Sequence, residues 1–186
     1  MKNLKIFELL DKNLGFSKNI TISDGQYGRG IFVINNMESA KIFLPTELLI
    51  DSSKINLSNN YNLELENSHR VTKNIKEFYV HYFKYYGFNK NTKIEIDNFY
   101  NEMRSLSSIL QEYLLFYFSN FVFNKSFDKI DYLKIYLNSR QISQNKKNYF
   151  MPIIELINHS LSGLTYNLYP KGLSIEGSFQ NEVLAN

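Results

Sequence analysis

The position of a helical segment limits the possible folds more than any other feature of this chain. Apolar side chains at about 70–148 recur with helical spacing, and this segment lies between two segments with short-strand and turn patterns. A doubly wound sheet would need strands and helices that alternate along the whole chain. The sequence therefore predicts an α+β fold in one domain, 1–186, a β-rich domain with a helical insertion at about 70–148.

The first region, 1–65, has the patterns of one short helix and several strands. The apolar residues at 4–14 predict a helix that ends at Gly15, in the C′ position. A turn is predicted at 23–25, and the polar segment 56–62 is predicted to be loop. Alternating or β-rich patterns predict strands at 20–22, 30–34 and 41–44.

The middle of the chain carries the strongest helical pattern. Apolar residues three and four positions apart run from Phe99 to Phe121 and predict one amphipathic helix, with Asp97 as its N-cap. Similar spacing predicts a helix through Phe78, Tyr82 and Tyr86, and another through Ile130, Leu133 and Leu137 that reaches Arg140. We interpret these aromatic residues as core, since apolar periodicity reports burial. Strands are predicted at 164–169 and 173–175, separated by a turn.

Composition excludes several classes of protein. The net charge of +3 is too small, and the charges too mixed, for a protein that binds nucleic acid. The absence of cysteine excludes disulfides and thiolate zinc sites and fits a reducing compartment. No signal peptide and no apolar run of the ~20 residues that a membrane span requires is found. We therefore expect a cytoplasmic protein with no nucleic-acid partner, membrane or metal.

Two short motifs carry candidate chemistry. Gly28-Arg29-Gly30 supplies flexible backbone that lets a ligand approach the main chain closely or forms a small anion-binding concavity, although such glycines also form plain tight turns. It lacks the third glycine and the following helix of a dinucleotide fingerprint. Asn158 can donate and accept hydrogen bonds at once, which suits an adenine or a main-chain partner. His159 fits either a structural residue or a site residue.

The two motifs together resemble a known family. Gly28–Val33 (GRGIFV), Ala40–Pro45 (AKIFLP) with 48–50 (LLI), 137–142 (LNSRQI) and 151–160 (MPIIELINHS) are similar, in this order, to elements of SET-domain proteins. The likeness is to the Rubisco large-subunit methyltransferase-like branch. It covers about residue 20 to the end of the sequence. The resemblance implies a SET-type fold of short strands with a β-clip, and a protein-lysine N-methyltransferase that uses S-adenosylmethionine.

The resemblance also implies roles for particular residues. Gly28, Arg29 and Gly30 would border the pocket for S-adenosylmethionine, and Arg140 would meet the carboxylate of this cofactor through its guanidinium fork. Asn158 and His159 would lie against the cofactor, and Tyr166 would be a catalytic hydroxyl near the transferring methyl group. Glu155 stands where the family usually has a shorter aspartate.

The sequence departs from the family pattern at its end. Family members continue past a segment like 182–186 into a Tyr-Gly element and a later catalytic tyrosine, so we expect this chain to be incomplete at its C-terminus. Two alternatives therefore stay open: a non-catalytic SET-like module that binds a cofactor or partner, and a helical interaction domain without cofactor. The partner expected for the enzyme is a protein that presents a lysine.

Overall fold

A computed structural model describes residues 2–25, 28–66, 71–117, 126–178 and 184–185 of the chain. These ranges contain five α-helices and thirteen short strands. The helices are α1 (Lys2–Lys12), α2 (Lys73–Tyr85), α3 (Lys90–Arg104), α4 (Ser108–Tyr117) and α5 (Lys129–Asn138). The strands are β1 (Phe16–Lys18), β2 (Ile20–Gly25), β3 (Gly28–Val33), β4 (Ala40–Pro45), β5 (Ile50–Asp51), β6 (Ile55–Leu57), β7 (Leu63–Leu65), β8 (Gln141–Gln144), β9 (Lys147–Phe150), β10 (Asn158–Leu164), β11 (Asn167–Tyr169), β12 (Gly172–Gly177) and β13 (Leu184–Ala185). The α+β prediction is confirmed at this level.

The strands form small sheets rather than one large one. The largest sheet has the order β1-β4-β12-β11, and all its neighbours are antiparallel. Its β4–β12 register pairs Ile42 with Ile175 and Leu44 with Leu173, and all four side chains are buried. Strands from the two ends of the sequence therefore meet in one sheet. The other groups are β5-β9-β8 and the pairs β2-β3, β6-β7 and β10-β13.

The helix α2 forms the centre of the hydrophobic core. Its apolar positions recur at helical spacing, so Phe78, Tyr79 and Tyr82 share one face and are each 0% exposed. Phe150 of β9 packs against Tyr82 with the ring centroids 6.0 Å apart. The predicted helix is confirmed through Phe78 and Tyr82, and Tyr86 is its C-cap. It begins at the N-cap Thr72, whose side chain accepts from the Ile75 amide.

The end of α1 differs from the prediction. The left-handed residue is Leu14, with φ 63°, not Gly15. The Gly15 amide donates to the carbonyl of Leu10, 3.1 Å away. A Cβ on Gly15 would lie 2.3 Å from Leu10 Cδ1 and 2.9 Å from the carbonyl oxygen of Phe43. Close packing between α1 and β4, rather than backbone conformation, therefore explains this glycine.

The long helix predicted from Phe99 is wrong in its start and in its continuity. Helix α3 begins at the N-cap Asn89, whose side chain accepts from two amides of the first turn. Asp97 lies inside α3, where its carboxylate is 2.6 Å from Lys93 Nζ and accepts a hydrogen bond from the Tyr132 hydroxyl. The helix ends at Arg104 and a new one, α4, starts at Ser108; the predicted end at Phe121 lies outside the described residues.

Four smaller predictions also need correction. The predicted turn at 23–25 belongs to β2, where these residues pair with Gly28–Gly30 of β3. The predicted loop at 56–62 includes part of β6. The last predicted helix buries Tyr132, Tyr136 and Leu137, whereas Ile130 is 61% exposed. This helix ends at Asn138 and does not reach Arg140 as predicted. The helical part of the insertion, predicted at about 70–148, ends at Asn138. Strand β8 lies inside the predicted range, and β9 begins inside it and ends just after it.

Candidate functional site

The clearest candidate site is a polar cavity of 420 Å³ between the helical insertion and the β2–β3 hairpin. This volume falls in the range of pockets for small molecules and cofactors. The end of α2 and the start of α3 form one wall, the end of α5 a second, and the hairpin and the turn before β10 close it. The lining residues are Asp24, Arg29, Tyr86, Gly87, Asn89, Asn91, Thr92, Glu95, Tyr136, Arg140, Glu155 and Leu156.

The β2–β3 hairpin places Arg29 at the cavity. Side chains alternate between the faces of a strand, so Arg29 lies on the same face of β3 as Ile31, which is 0% exposed and packs into the core. Arg29 Nη1 donates to the carbonyl of Tyr85 at 2.8 Å, and Nε lies 3.7 Å from Asp24 across the hairpin. The guanidinium also lies 5.5 Å from the ring centroid of Tyr86.

The end of α5 places Arg140 in a similar environment. Arg140 follows the C-cap Ser139 and lies just beyond the end of α5 at Asn138. Arg140 Nη1 donates to the carbonyl of Tyr136 at 3.0 Å and to Ser139 Oγ at 2.9 Å. Its guanidinium carbon is 4.2 Å from the Tyr136 ring centroid. Both cavity arginines therefore bind a carbonyl in the last turn of a helix, where the helix dipole favours a cation.

A buried glutamate completes the site. Glu155 is 2% exposed, and its Oε2 lies 2.9 Å from Arg140 Nε. Its Oε1 accepts hydrogen bonds from the hydroxyls of Tyr82 at 2.7 Å and Tyr136 at 3.3 Å. Burial raises the pKa of Glu155, and the charge of Arg140 with the two tyrosine hydrogen bonds opposes that rise. Because a guanidinium stays charged in proteins, Arg140 favours the ionised form of Glu155.

A strained turn holds Glu155 in place. Ile153 has φ 68° and ψ −56° although it is β-branched and 0% exposed. The Ile154 amide donates to the Pro152 carbonyl at 2.8 Å, which closes a three-residue γ-turn. The Glu155 amide donates to the Met151 carbonyl at 2.9 Å. Such strained conformations persist only where the surroundings enforce them, and they concentrate at binding and catalytic sites.

The charges of the cavity almost cancel. Two guanidinium groups, from Arg29 and Arg140, face three carboxylates, from Asp24, Glu95 and Glu155. Fully ionised, the lining carries one excess negative charge. No described residue is paired with Glu95, which lies on the exposed side of α3. A simple anion would gain little from such a lining, whereas a ligand with separate positive and negative groups matches it better.

A second, more apolar cavity of 580 Å³ adjoins the first. The two share Thr92, Glu95, Tyr136 and Arg140 as lining residues. The remaining wall comes from α3, α4 and α5 and consists mainly of large apolar side chains, which are Ile96, Phe99, Tyr100, Met103, Leu114 and Ile135. A charged cavity and an apolar one are therefore neighbours on either side of Arg140.

The structure brings some of the predicted site residues together. Arg29 and Arg140 line the polar cavity, while Gly28 and Gly30 flank Arg29 in β3 and are paired with Gly25 and Ser23. The backbone of Asn158 and His159 starts β10, two residues after the lining residue Leu156, and their side chains lie outside the described residues.

Tyr166 is half-buried against the core and is not among the lining residues described. Burial, and to a lesser degree the charge of Glu155, raises the pKa of Tyr166. Its catalytic role stays a prediction, as do the other cofactor contacts.

Sequence reasoning missed Tyr82 and Tyr136 as partners of a buried carboxylate, and it missed Glu95. The tyrosines had the spacing of core residues. The sequence does not show whether the hydroxyl of a buried tyrosine donates a hydrogen bond to a side chain. One signal was present for Glu155, a charged residue within the apolar run at 153–157, since charged residues are almost never buried unless paired.

Comparisons of the chain with protein-family models, curated proteins and solved structures found no match. In the ranges that the structure describes, no cluster of His, Asp and Glu is placed to hold a metal ion. No helix in those ranges is both long and apolar enough to cross a membrane.

Proposed function

We propose that this chain binds S-adenosylmethionine in the polar cavity and is the cofactor-binding part of a SET-type protein-lysine N-methyltransferase. One observation carries the proposal. Arg29 and Arg140 belong to two of the motifs that resemble the family, lie far apart in the sequence, and line the same 420 Å³ cavity. Both guanidinium groups have an Nη2 for which no described residue is an acceptor.

The charge of the cofactor supports the same proposal. S-adenosylmethionine carries a carboxylate, an ammonium and a sulfonium, and therefore has one net positive charge. The cavity offers guanidinium groups for the carboxylate and, when fully ionised, has one excess negative charge to balance the two cations. A nucleotide phosphate, with two or more negative charges, would be opposed by Asp24, Glu95 and Glu155.

The reaction proposed is transfer of a methyl group from the sulfonium to a neutral lysine amine. Having this amine neutral at pH 7 costs about 4–5 kcal/mol from a reference pKa near 10.4. An apolar channel lowers this cost because it disfavours the charged form. The adjoining cavity of 580 Å³ is the part of the molecule suited to the methylene stem of the lysine. Tyr166 is not among the described lining residues of either cavity, and its role as a hydroxyl near the reacting nitrogen rests on the family resemblance alone.

Isothermal titration calorimetry with S-adenosylmethionine tests the cofactor. We expect saturable binding by the unaltered chain and binding about tenfold or more weaker in Arg29→Gln, since a hydrogen bond between charged groups contributes about 1.5–3 kcal/mol. The partner of Arg29, Asp24, is 84% exposed, so this variant leaves no buried charge unpaired. Arg104→Gln is the matched control, because Arg104 does not line the cavity.

The outcomes separate the three candidate functions. No heat of binding from a folded sample would remove both SET-type candidates and leave a helical interaction domain. Binding with transfer of a labelled methyl group to lysine-containing proteins supports the enzyme. Binding without transfer supports a non-catalytic module that holds the cofactor.

A further inference from the structure

The position of Arg140 depends on one buried carboxylate. We propose that Glu155 is a positioning residue, which fixes the plane of the Arg140 guanidinium so that Nη2 faces a ligand carboxylate in the polar cavity. The identity of that ligand, S-adenosylmethionine, rests on the proposed function. The geometry of the pair does not depend on it.

The contacts of Arg140 leave one direction open. Nε lies 2.9 Å from Glu155 Oε2, and Nη1 donates to the Tyr136 carbonyl and to Ser139 Oγ. The face of the group lies 4.2 Å from the Tyr136 ring centroid. Nη2 is therefore the end of the fork that remains for a ligand, since no described residue accepts from it. A planar fork held on two sides recognises a carboxylate with a defined orientation.

Glu155 is itself held rigidly, as a positioning residue must be. Both of its oxygens have partners, Tyr82 and Tyr136 on Oε1 and Arg140 on Oε2. Its backbone lies in the short turn that begins at the strained Ile153, and the Glu155 amide bonds to Met151. Because only 2% of its side chain is exposed, Glu155 has almost no surface that a ligand could contact directly. Its effect on a ligand is therefore transmitted through Arg140.

Binding of two related ligands tests this role. Decarboxylated S-adenosylmethionine lacks only the carboxylate that Arg140 is proposed to meet. In Glu155→Gln we expect S-adenosylmethionine to bind about 10- to 100-fold more weakly, as for loss of one well-directed charged hydrogen bond. The decarboxylated ligand should bind within about twofold of its original affinity, because it never used Arg140. Equal weakening of both ligands would show a merely structural role and overturn the proposal.

The conservative variant Glu155→Asp provides a second measurement. It keeps the charge but shortens the reach to Arg140, so we expect an intermediate loss for S-adenosylmethionine alone. Thermal unfolding followed by circular dichroism shows whether each variant is folded. If Glu155→Gln does not fold, Glu155→Asp decides the question with the same two ligands.

Nuclear magnetic resonance of the arginine side chains tests the geometry without any ligand. The Nε–Hε signal of Arg140 should exchange slowly with water in the unaltered chain, and this protection should disappear in Glu155→Asp. An unprotected Arg140 in the unaltered chain would refute the positioning role. Protection together with no binding of S-adenosylmethionine would instead refute the proposed function and leave the positioning of Arg140 intact.

Discussion

Two tyrosines on one helix allow a direct test of how the buried carboxylate is held. Tyr82 and Tyr79 are each 0% exposed and lie on α2. The Tyr82 hydroxyl donates to Glu155 Oε1 at 2.7 Å, and the Tyr79 hydroxyl donates to the main-chain carbonyl of Leu48 at 2.6 Å. Replacing either with phenylalanine removes one hydroxyl and keeps the ring. The two variants therefore differ mainly in the charge of the acceptor that loses its donor.

The expected magnitudes follow from that difference. A hydrogen bond to a charged group contributes about 1.5–3 kcal/mol and one between neutral groups about 0.5–1.5 kcal/mol. Tyr136, 3.3 Å from the same oxygen, stays in place and offsets part of the loss in Tyr82→Phe. We expect Tyr82→Phe to reduce the free energy of unfolding by about 2 kcal/mol and Tyr79→Phe by about 1 kcal/mol. In a domain of this size each kcal/mol lowers Tm by about 2–4 °C.

Urea unfolding followed by far-ultraviolet circular dichroism measures both values, and its pH dependence identifies the charge. The Tyr82 hydroxyl favours the ionised form of Glu155, so its removal raises the folded-state pKa of that carboxyl further. The penalty of Tyr82→Phe should be full where Glu155 is ionised and should shrink as the pH falls through its folded-state pKa. Tyr79→Phe should show no such dependence. Equal penalties, or a penalty for Tyr82→Phe independent of pH, would refute the reasoning.

The remaining predictions concern the end of α1 and the carboxylate inside α3. Gly15→Ala should reduce the free energy of unfolding by about 1–3 kcal/mol, because its Cβ would lie 2.3 Å from the buried Leu10 side chain. Leu14→Gly should instead be neutral or stabilising by up to about 1 kcal/mol, since Leu14 is 85% exposed with φ 63°. A larger loss of stability in Leu14→Gly than in Gly15→Ala would contradict the assignment of Leu14 as the left-handed residue and of Gly15 as the closely packed one. Hydrogen bonds from Lys93 and Tyr132 outweigh burial and lower the pKa of Asp97, so its contribution is present above the unfolded-state pKa of about 3.9 and is lost as the pH falls. Asp97→Asn should therefore be destabilising at pH 7, and its penalty should shrink as the pH falls below the unfolded-state pKa of about 3.9, as chemical denaturation at pH 7 and in acid would show.

Local patterns predicted the elements whose burial follows from their own spacing. The β4 strand at 40–45 and the apolar face of α2 both have one clearly buried side. Helix α3 was harder, because its first turns are polar and exposed and show no apolar stripe before Phe99. The N-cap Asn89 is a common residue type at turns as well as at helix starts, so without a following apolar stripe it did not mark the start of α3.

The break between α3 and α4 could not be predicted because neither glycine nor proline marks it. Ser105 Oγ donates to the Glu102 carbonyl at 2.6 Å, and Gln111 Nε2 donates to the carbonyls of Arg104 and Leu106, each at 2.9 Å. Side chains that bond to the backbone in this way compete with the regular helix. Their effect depends on tertiary position, which apolar periodicity does not report.

The candidate site could likewise be predicted only in part. Arg29 and Arg140 could be singled out, since they belong to recognisable motifs, but their convergence on one cavity is a tertiary property. The pairing of Arg140 with Glu155, and of Glu155 with two tyrosines on different helices, depends on how α2 and α5 pack. Spacing along one helix carries no information about such pairs.

The near cancellation of charge in the polar cavity has a consequence for the speed of ligand capture. Guanidinium and carboxylate groups that lie together produce a weak field beyond a Debye length of about 10 Å at 0.1 M salt. A ligand would therefore reach the cavity by unassisted diffusion, and its association rate constant would change little with ionic strength. Discrimination between ligands would begin only on contact, where Arg29 and Arg140 meet particular atoms, and would appear mainly in the rate of dissociation.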